Sequence, residues 1–156
     1  MLLQHTYNEY DRLMTECMYD IFINSGGHPD DFEKYKNMAW CEDELTYQDR
    51  IKKHLKHIWK SVMIYSISGI GSIDNFINTL IRQADNLLLT EKAYFQTSGQ
   101  IMCIKNRYIV KNIIDGRTCR LCNYMNNKIF KKSEMKYGVN APPFHTRCRG
   151  WIEAYD

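Results

Sequence analysis

The sequence predicts an α+β fold, mostly helical over its first two-thirds (residues 1–100) and closed by a small β-rich module (residues 101–156). Three observations predict it. Apolar side chains recur at three- and four-residue steps through long stretches of the first hundred residues, the period of a helix face. Strand formers then cluster in Tyr108, Ile109, Val110, Ile113 and Ile114. After them, cysteine and histidine fall in two short-spaced pairs. At 156 residues, without an internal repeat or a low-complexity tract, the two regions are expected to form one compact domain.

Composition narrows the class. Charged residues make up 25% and apolar ones 44%, the balance of a chain that buries a core rather than staying disordered. No run of 18 or more apolar residues exists, so no membrane-spanning helix is predicted and no membrane partner is expected. Met1-Leu2-Leu3-Gln4-His5 shows no basic stretch followed by an apolar one, so no export signal is read. The expected setting is therefore a reducing cytoplasm, or a particle assembled there, where thiols stay reduced. The net charge of +3 hides an asymmetry: residues 1–100 carry 10 Lys/Arg against 14 Asp/Glu, and residues 101–156 carry 11 against 4. The basic C-terminal third suits a phosphate-rich or acidic partner, and suits equally a plain solvated surface.

Residues 5–22 read as a first helix, with Tyr10, Leu13, Met14, Cys17 and Met18 on one face. Gly26-Gly27-His28-Pro29 ends it, and Asp31–Met38 is expected to be a short helical piece before a polar connection containing Trp40. The clearest helix runs from Tyr47 to Ser66, with Thr46 as N-cap and Asp49 in the reciprocal capping position. Its apolar stripe is Ile51, Leu55, Ile58, Val62 and Tyr65; a second stripe, Lys53, Lys56, His57 and Lys60, reads as a solvated basic face. Gly69 and Gly71 end it. Ser72 caps a helix from Ile73 to Gln83, a further helical stretch continues to Thr97, and a strand is expected within Ile101–Ile114.

Cys119-x-x-Cys122 and His145-x-x-Cys148, separated by 22 residues, have the spacing of a zinc site. A tight Cys-x-x-Cys turn aims two sulfurs at one point, and a second such turn completes a tetrahedron. Asn126-Asn127 is turn-forming, and Pro142-Pro143 stiffens the approach to His145. Three thiolates and one imidazole leave no open position, so the predicted ion is a structural Zn2+, and its binding supplies folding energy to a module with few apolar residues. Three other readings stand beside this one. A redox pair belongs at the start of a helix, for which Asn123-Tyr124-Met125-Asn126-Asn127 is a poor opening, and it leaves the second pair unexplained. Disulfides need an oxidising compartment, and unliganded thiols need only coincidence. Cys17, Cys41 and Cys103 have no matching spacing and read as packed thiols. His5, His28, His54 and His57 read as surface or half-buried residues rather than ligands.

The blocks Asp115-Gly116-Arg117-Thr118-Cys119-Arg120-Leu121-Cys122, Asn127-Lys128-Ile129-Phe130 and Pro142-Pro143-Phe144-His145-Thr146-Arg147-Cys148-Arg149 resemble the C-terminal signature of tailed-phage minor head proteins, the phage Mu F-like head-morphogenesis family. Weaker similarity reaches upstream to Trp40, to Tyr47-Gln48-Asp49-Arg50-Ile51 and to Leu89-Thr90-Glu91, so that it spans residues 40–153 and is specific over 115–149. Two positions depart from the family pattern. Gly150 stands where a last cysteine is common, and Asn127 stands for a glycine, a swap that a positive-φ turn tolerates.

The resemblance implies a non-enzymatic minor head component, in few copies near the portal, that acts in capsid assembly or DNA packaging and ejection. Its expected partners are head or portal proteins, with double-stranded DNA as a further candidate, and its expected location is the bacterial host cytoplasm or the virion. Arg117, Arg120, Lys128, Lys131, Lys132, Arg147 and Arg149 are the candidate partner- or DNA-binding residues. The helical region ahead of the motif is shorter than is usual in that family. That keeps open a second reading, a small phage-encoded regulator or inhibitor of a host defence protein on the same module. A zinc-dependent nuclease is the third, and Glu91 and Asp115 are its only candidate acid–base groups. Both also have structural explanations, such as pairing with Arg117 or capping the knuckle backbone.

Overall fold

The computed structural model describes residues 2–40, 45–69 and 71–155, and of Leu2 and Leu3 the backbone alone. The fold is α+β, as the sequence predicts. Helix α1 spans Leu2–Asn24, and a 3-10 turn, Pro29–Asp31, leads into the short α2, Phe32–Lys36. Then α3, Tyr47–Ser68, and α4, Ile73–Cys103, form a long antiparallel hairpin. The C-terminal part holds β1 (Arg107–Lys111), α5 (Arg120–Met125), β2 (Ile129–Lys131), a 3-10 turn at Lys132–Glu134 and β3 (Trp151–Ala154). The three strands make an antiparallel sheet in the order β2-β1-β3. Tyr108 stands opposite Phe130 on one side and Ala154 on the other.

The caps explain where α3 begins and ends. Thr46 Oγ1 accepts from the Asp49 backbone N–H, and the Asp49 carboxylate accepts from the Thr46 N–H, the reciprocal box read from the sequence. Gly69, at φ 57°, closes the far end in the left-handed conformation, its N–H donating to the Tyr65 carbonyl. Of the predicted apolar stripe, Ile51 and Leu55 are buried, and Ile58, Val62 and Tyr65 are half-buried.

Four expectations need correction. The two helical stretches after Ser72 are one continuous helix of 31 residues, because nothing between Gln83 and Leu87 breaks it. The strand is shorter than Ile101–Ile114. Ile101–Cys103 form the last turn of α4, and Ile113 and Ile114 lie beyond β1 at about half exposure. Cys17 and Cys103 are exposed rather than packed, although the Cys103 thiol lies 3.5 Å from the Gly26 carbonyl; Cys41 falls outside the described residues. The Cys119–Cys122 segment does open a helix, α5, because Cys119 itself serves as N-cap, accepting from the Cys122 N–H.

Helix α4 is the spine. One face joins the helical core, where Tyr94 and Phe95 pack with Met14, Met18 and Phe22 of α1, Phe32 of α2, and Tyr47, Ile51 and Leu55 of α3. Its C-terminal end joins a second core, in which Ile101 and Ile104 pack with Tyr108, Val110, Met125, Ala141 and Ile152. Met102 touches both.

Candidate metal centre

The first knuckle is built by a turn that its own side chains stitch together. Thr118 Oγ1 donates to the Ile113 carbonyl at 2.7 Å and accepts from the Asp115 N–H at 2.8 Å. Asp115 in turn accepts from the Arg117 N–H at 2.9 Å. Arg149, next to Cys148, grips the same carboxylate with two bonds, 2.8 and 2.7 Å. These bonds, Arg149 first, hold the Asp115 carboxyl below the usual carboxylate range. Asp115 thus ties the two knuckles together, and its main partner is Arg149 rather than Arg117, whose guanidinium is 3.9 Å away.

At the ends of the two turns, Cys119 Sγ lies 3.2 Å and Cys122 Sγ 3.0 Å from His145 Nε2. The donor atoms of these three residues all fall within 4.8 Å of one another. Cys148, the fourth predicted donor, is buried and packs in one cluster with Cys122, but it falls outside that group of three. His145 Nδ1 lies 2.7 Å from the Thr146 carbonyl. A proton on Nδ1 satisfies that carbonyl and leaves the Nε2 lone pair facing the sulfurs, the tautomer a metal-ligating histidine uses. Zinc at about 2.0–2.3 Å from nitrogen and sulfur sets tetrahedral S···N separations of about 3.6 Å. The observed distances are a few tenths of an ångström shorter, so a small outward movement of the side chains accommodates the ion. Two sulfurs and one imidazole nitrogen are a soft donor set of the kind Zn2+ takes, and Cys148, packed on Cys122, is the residue that would close it.

Two of the three thiols are biased towards giving up their protons, and Cys122 is biased the other way. The Cys122 N–H, at the start of α5, lowers the Cys119 thiol. The neighbouring Cys122 thiol, with backbone donors at Phe144 and Gly150, lowers Cys148, while the proximity of Cys148 and burial raise Cys122. A dication held by these residues would favour the thiolate form of all three.

The site is docked on α4 by two residues one turn apart. Thr90 Oγ1 accepts from the Arg147 N–H at 2.9 Å, and Arg147, at φ 61°, is the hinge of the His145–Cys148 turn. Ala93, one turn on, packs against Cys122 and Cys148. Glu91 faces the other way. It is fully buried and accepts two bonds from Arg50 of α3, 2.6 and 2.8 Å, while the Arg50 guanidinium lies 5.0 Å from the Trp40 ring centre and 5.7 Å from that of Tyr94. Burial pushes the Glu91 carboxyl up; the Arg50 bonds and charge oppose it. The Trp40, Arg50-Ile51 and Thr90-Glu91 elements noted in the sequence therefore meet at one point. Their role there had no sequence signal. The pair also lines a cleft of about 970 Å³ between α3, α4 and the loop from Lys136 to Thr146, with His145 on its wall.

The basic candidates divide. Arg117, Arg120, Lys131 and Arg147 are exposed. Lys128 sits 3.1 Å above the Tyr124 ring centre. Two are spent inside the protein: Lys132 donates to the Ile104 carbonyl at 2.6 Å, and Arg149 is held by Asp115. Asn127, at φ 64°, adopts the left-handed turn expected of it.

A family profile described as phage Mu protein F like protein matches residues 42–153, and the chain belongs to that phage head-related family. No curated protein and no solved structure matches it. Among the described residues, no helix is long and apolar enough to cross a membrane.

Proposed function

We propose that the protein is a non-enzymatic minor head component that acts in capsid assembly or DNA packaging and ejection by binding head or portal proteins. The family match over residues 42–153 carries this reading. The chemistry of the site supports it. Cys119, Cys122, His145 and Cys148 fill all four positions of a structural zinc ion, which leaves none for an activated water. The two carboxylates nearest in role to a general base are both engaged, Glu91 by Arg50 and Asp115 by Arg149. The zinc ion's work is to hold the two knuckles and to present the surface around them.

That surface carries Arg117, Arg120, Lys131 and Arg147, all exposed, with Arg117 3.9 Å from Asp115 and Lys131 3.5 Å from Glu134 on the solvent side. Double-stranded DNA is its second proposed partner. Four phosphate contacts give a log–log salt slope of about −3.6; a titration with no affinity at low salt removes the DNA contact and leaves the assembly role standing. Mass spectrometry of purified particles tests the reading as a whole. Finding the chain in virions is the expected result. Its absence from particles, with a stoichiometric host protein bound instead, overturns the reading in favour of a regulator built on the same module.

A further inference from the structure

The three-stranded sheet buries one face and leaves the other open. Side chains alternate along each strand, so Tyr108, Val110, Phe130 and Ile152 turn inwards, into the core that the end of α4 shares. The odd-numbered residues therefore share the outer face. Ile109 and Trp151 are half-buried there and join none of the hydrophobic clusters among the described residues. Ile129 and Tyr155 are 41 and 40% exposed.

The register sets these side chains out in three rows. Lys131 stands opposite Arg107, whose guanidinium lies 5.2 Å from the Tyr155 ring centre, and the Tyr155 N–H donates to the Arg107 carbonyl. Ile129, Ile109 and Glu153 form the middle row. Lys111 stands opposite Trp151 and donates to the Asn127 side chain at 2.8 Å. Each end of the face thus carries an aromatic ring next to a cation, with aliphatic surface between. Its charges are three basic to one acidic, and the acidic one is engaged, since Glu153 accepts from Trp151 Nε1 at 2.8 Å. Lys131 also lies 3.5 Å from Glu134, both exposed. Arg107 and Lys131 are like charges directly opposite each other, a pairing that a negative group bound across it relieves.

We infer that this face binds single-stranded nucleic acid, with bases stacked on Trp151 and Tyr155 and phosphates held by Arg107, Lys111 and Lys131. Rings select flat apolar groups, and cations select regularly spaced negative charge. Unpaired nucleotides offer both, whereas a duplex hides its base faces and an acidic protein has no such repeat. The face measures about 13 Å along the strands and about 10 Å across them, the scale on which a sheet bearing aromatic side chains stacks two or three bases. The chemistry is common to DNA and RNA. It is separate from the duplex contact proposed above, which shares only Lys131, and it does not depend on the head-protein reading.

Fluorescence anisotropy of a labelled oligo-dT of about 12 nucleotides, titrated with the full zinc-replete chain, tests it. The expected result is saturable binding with a log–log salt slope of about −2, from three phosphate contacts at about 0.7 each. Trp151→Ala/Tyr155→Ala should weaken it about thirty-fold or more, with helical circular dichroism unchanged. Arg107→Glu is the second variant, because it turns a like-charged pair into an opposite one and keeps the sheet folded; about tenfold weakening is expected. Arg117→Ala/Arg120→Ala should leave the affinity unchanged, which separates this face from the duplex surface. A parallel oligo-rU titration tells RNA from DNA, and binding to either sustains the inference. No binding to either at about 100 µM chain in low salt overturns it. So do binding that survives both face variants in folded protein, and poly-glutamate held as tightly as oligo-dT, which assigns the face to an acidic protein.

Discussion

Replacing Glu91 by Gln probes the joint between the two cores. Its carboxylate has no exposure and Arg50 has 10%, so the variant leaves a guanidinium largely out of water, stacked on Trp40 and Tyr94, with its counter-charge gone. Breaking a buried pair from one side costs about 3–5 kcal/mol. Gln keeps one oxygen within reach of Arg50, and Arg50 retains its bond to the Leu45 carbonyl, so the lower end, about 3 kcal/mol, is expected. That is a large fraction of the roughly 5–15 kcal/mol that holds a domain together. Urea unfolding followed by far-ultraviolet circular dichroism reads it as a lower midpoint at unchanged slope. The matched control is Arg50→Met/Glu91→Leu, which removes both charges and fills the volume. It should recover most of the loss, because the cost arises from the orphaned charge rather than from any large net gain in the pair. A Glu91→Gln variant within about 1 kcal/mol of wild type refutes the reasoning, since measured contributions of exposed pairs fall in that range. So does a double variant less stable than the single one.

Three further outcomes follow from the site. The purified protein should contain one zinc per chain, and chelation or Cys119→Ser/Cys148→Ser should unfold the C-terminal module while the helical core keeps its circular dichroism; metal analysis and near-ultraviolet spectra check this, and a metal-free protein with unchanged spectra contradicts it. Thr90→Val leaves the Arg147 N–H without its acceptor and should cost about 1 kcal/mol and lower zinc affinity about tenfold, with Thr90→Ser close to wild type; competition with a chromophoric chelator measures it. Gly150→Ala places a Cβ 2.6 Å from Asn112 Oδ1 and 3.0 Å from Pro142 Cγ, and should cost about 1–3 kcal/mol in denaturant melts, relieved by Asn112→Ala.

Helix periodicity and capping chemistry are local, and they located α1, α3 and the start of α4 well. What failed was judged over too short a window. The polar Arg82-Gln83-Ala84-Asp85-Asn86 stretch looked like a gap between two helices, yet it contains no Pro or Gly and continues one long helix, with Arg82 and Asp85 exposed and Gln83, Ala84 and Asn86 half-buried. The apolar Ile113 and Ile114 looked like strand because residue type was read without its pairing: β1 ends at Lys111, opposite Trp151, and the chain then turns into the first knuckle. The metal donors were legible because ligand spacing is itself a local signal. Their support was not. Thr90, Asp115 and Arg149 act across gaps of 57 and 34 residues, and only the fold brings such partners together.

Those long-range partners also explain why the Gly150 position departs from the usual pattern of the family. Gly150 follows Arg149, which must reach back to Asp115, and precedes Trp151, which opens β3 opposite Lys111. Between these fixed points the backbone passes so close to the buried Asn112 that a Cβ meets its amide oxygen inside van der Waals contact. A cysteine here adds a sulfur to that same crowded spot, beside a donor set that Cys119, Cys122, His145 and Cys148 already fill. It therefore adds strain and no ligand. Glycine at 150 and asparagine at 112 are thus one choice rather than two, and a chain with cysteine at the first position should carry a smaller residue at the second.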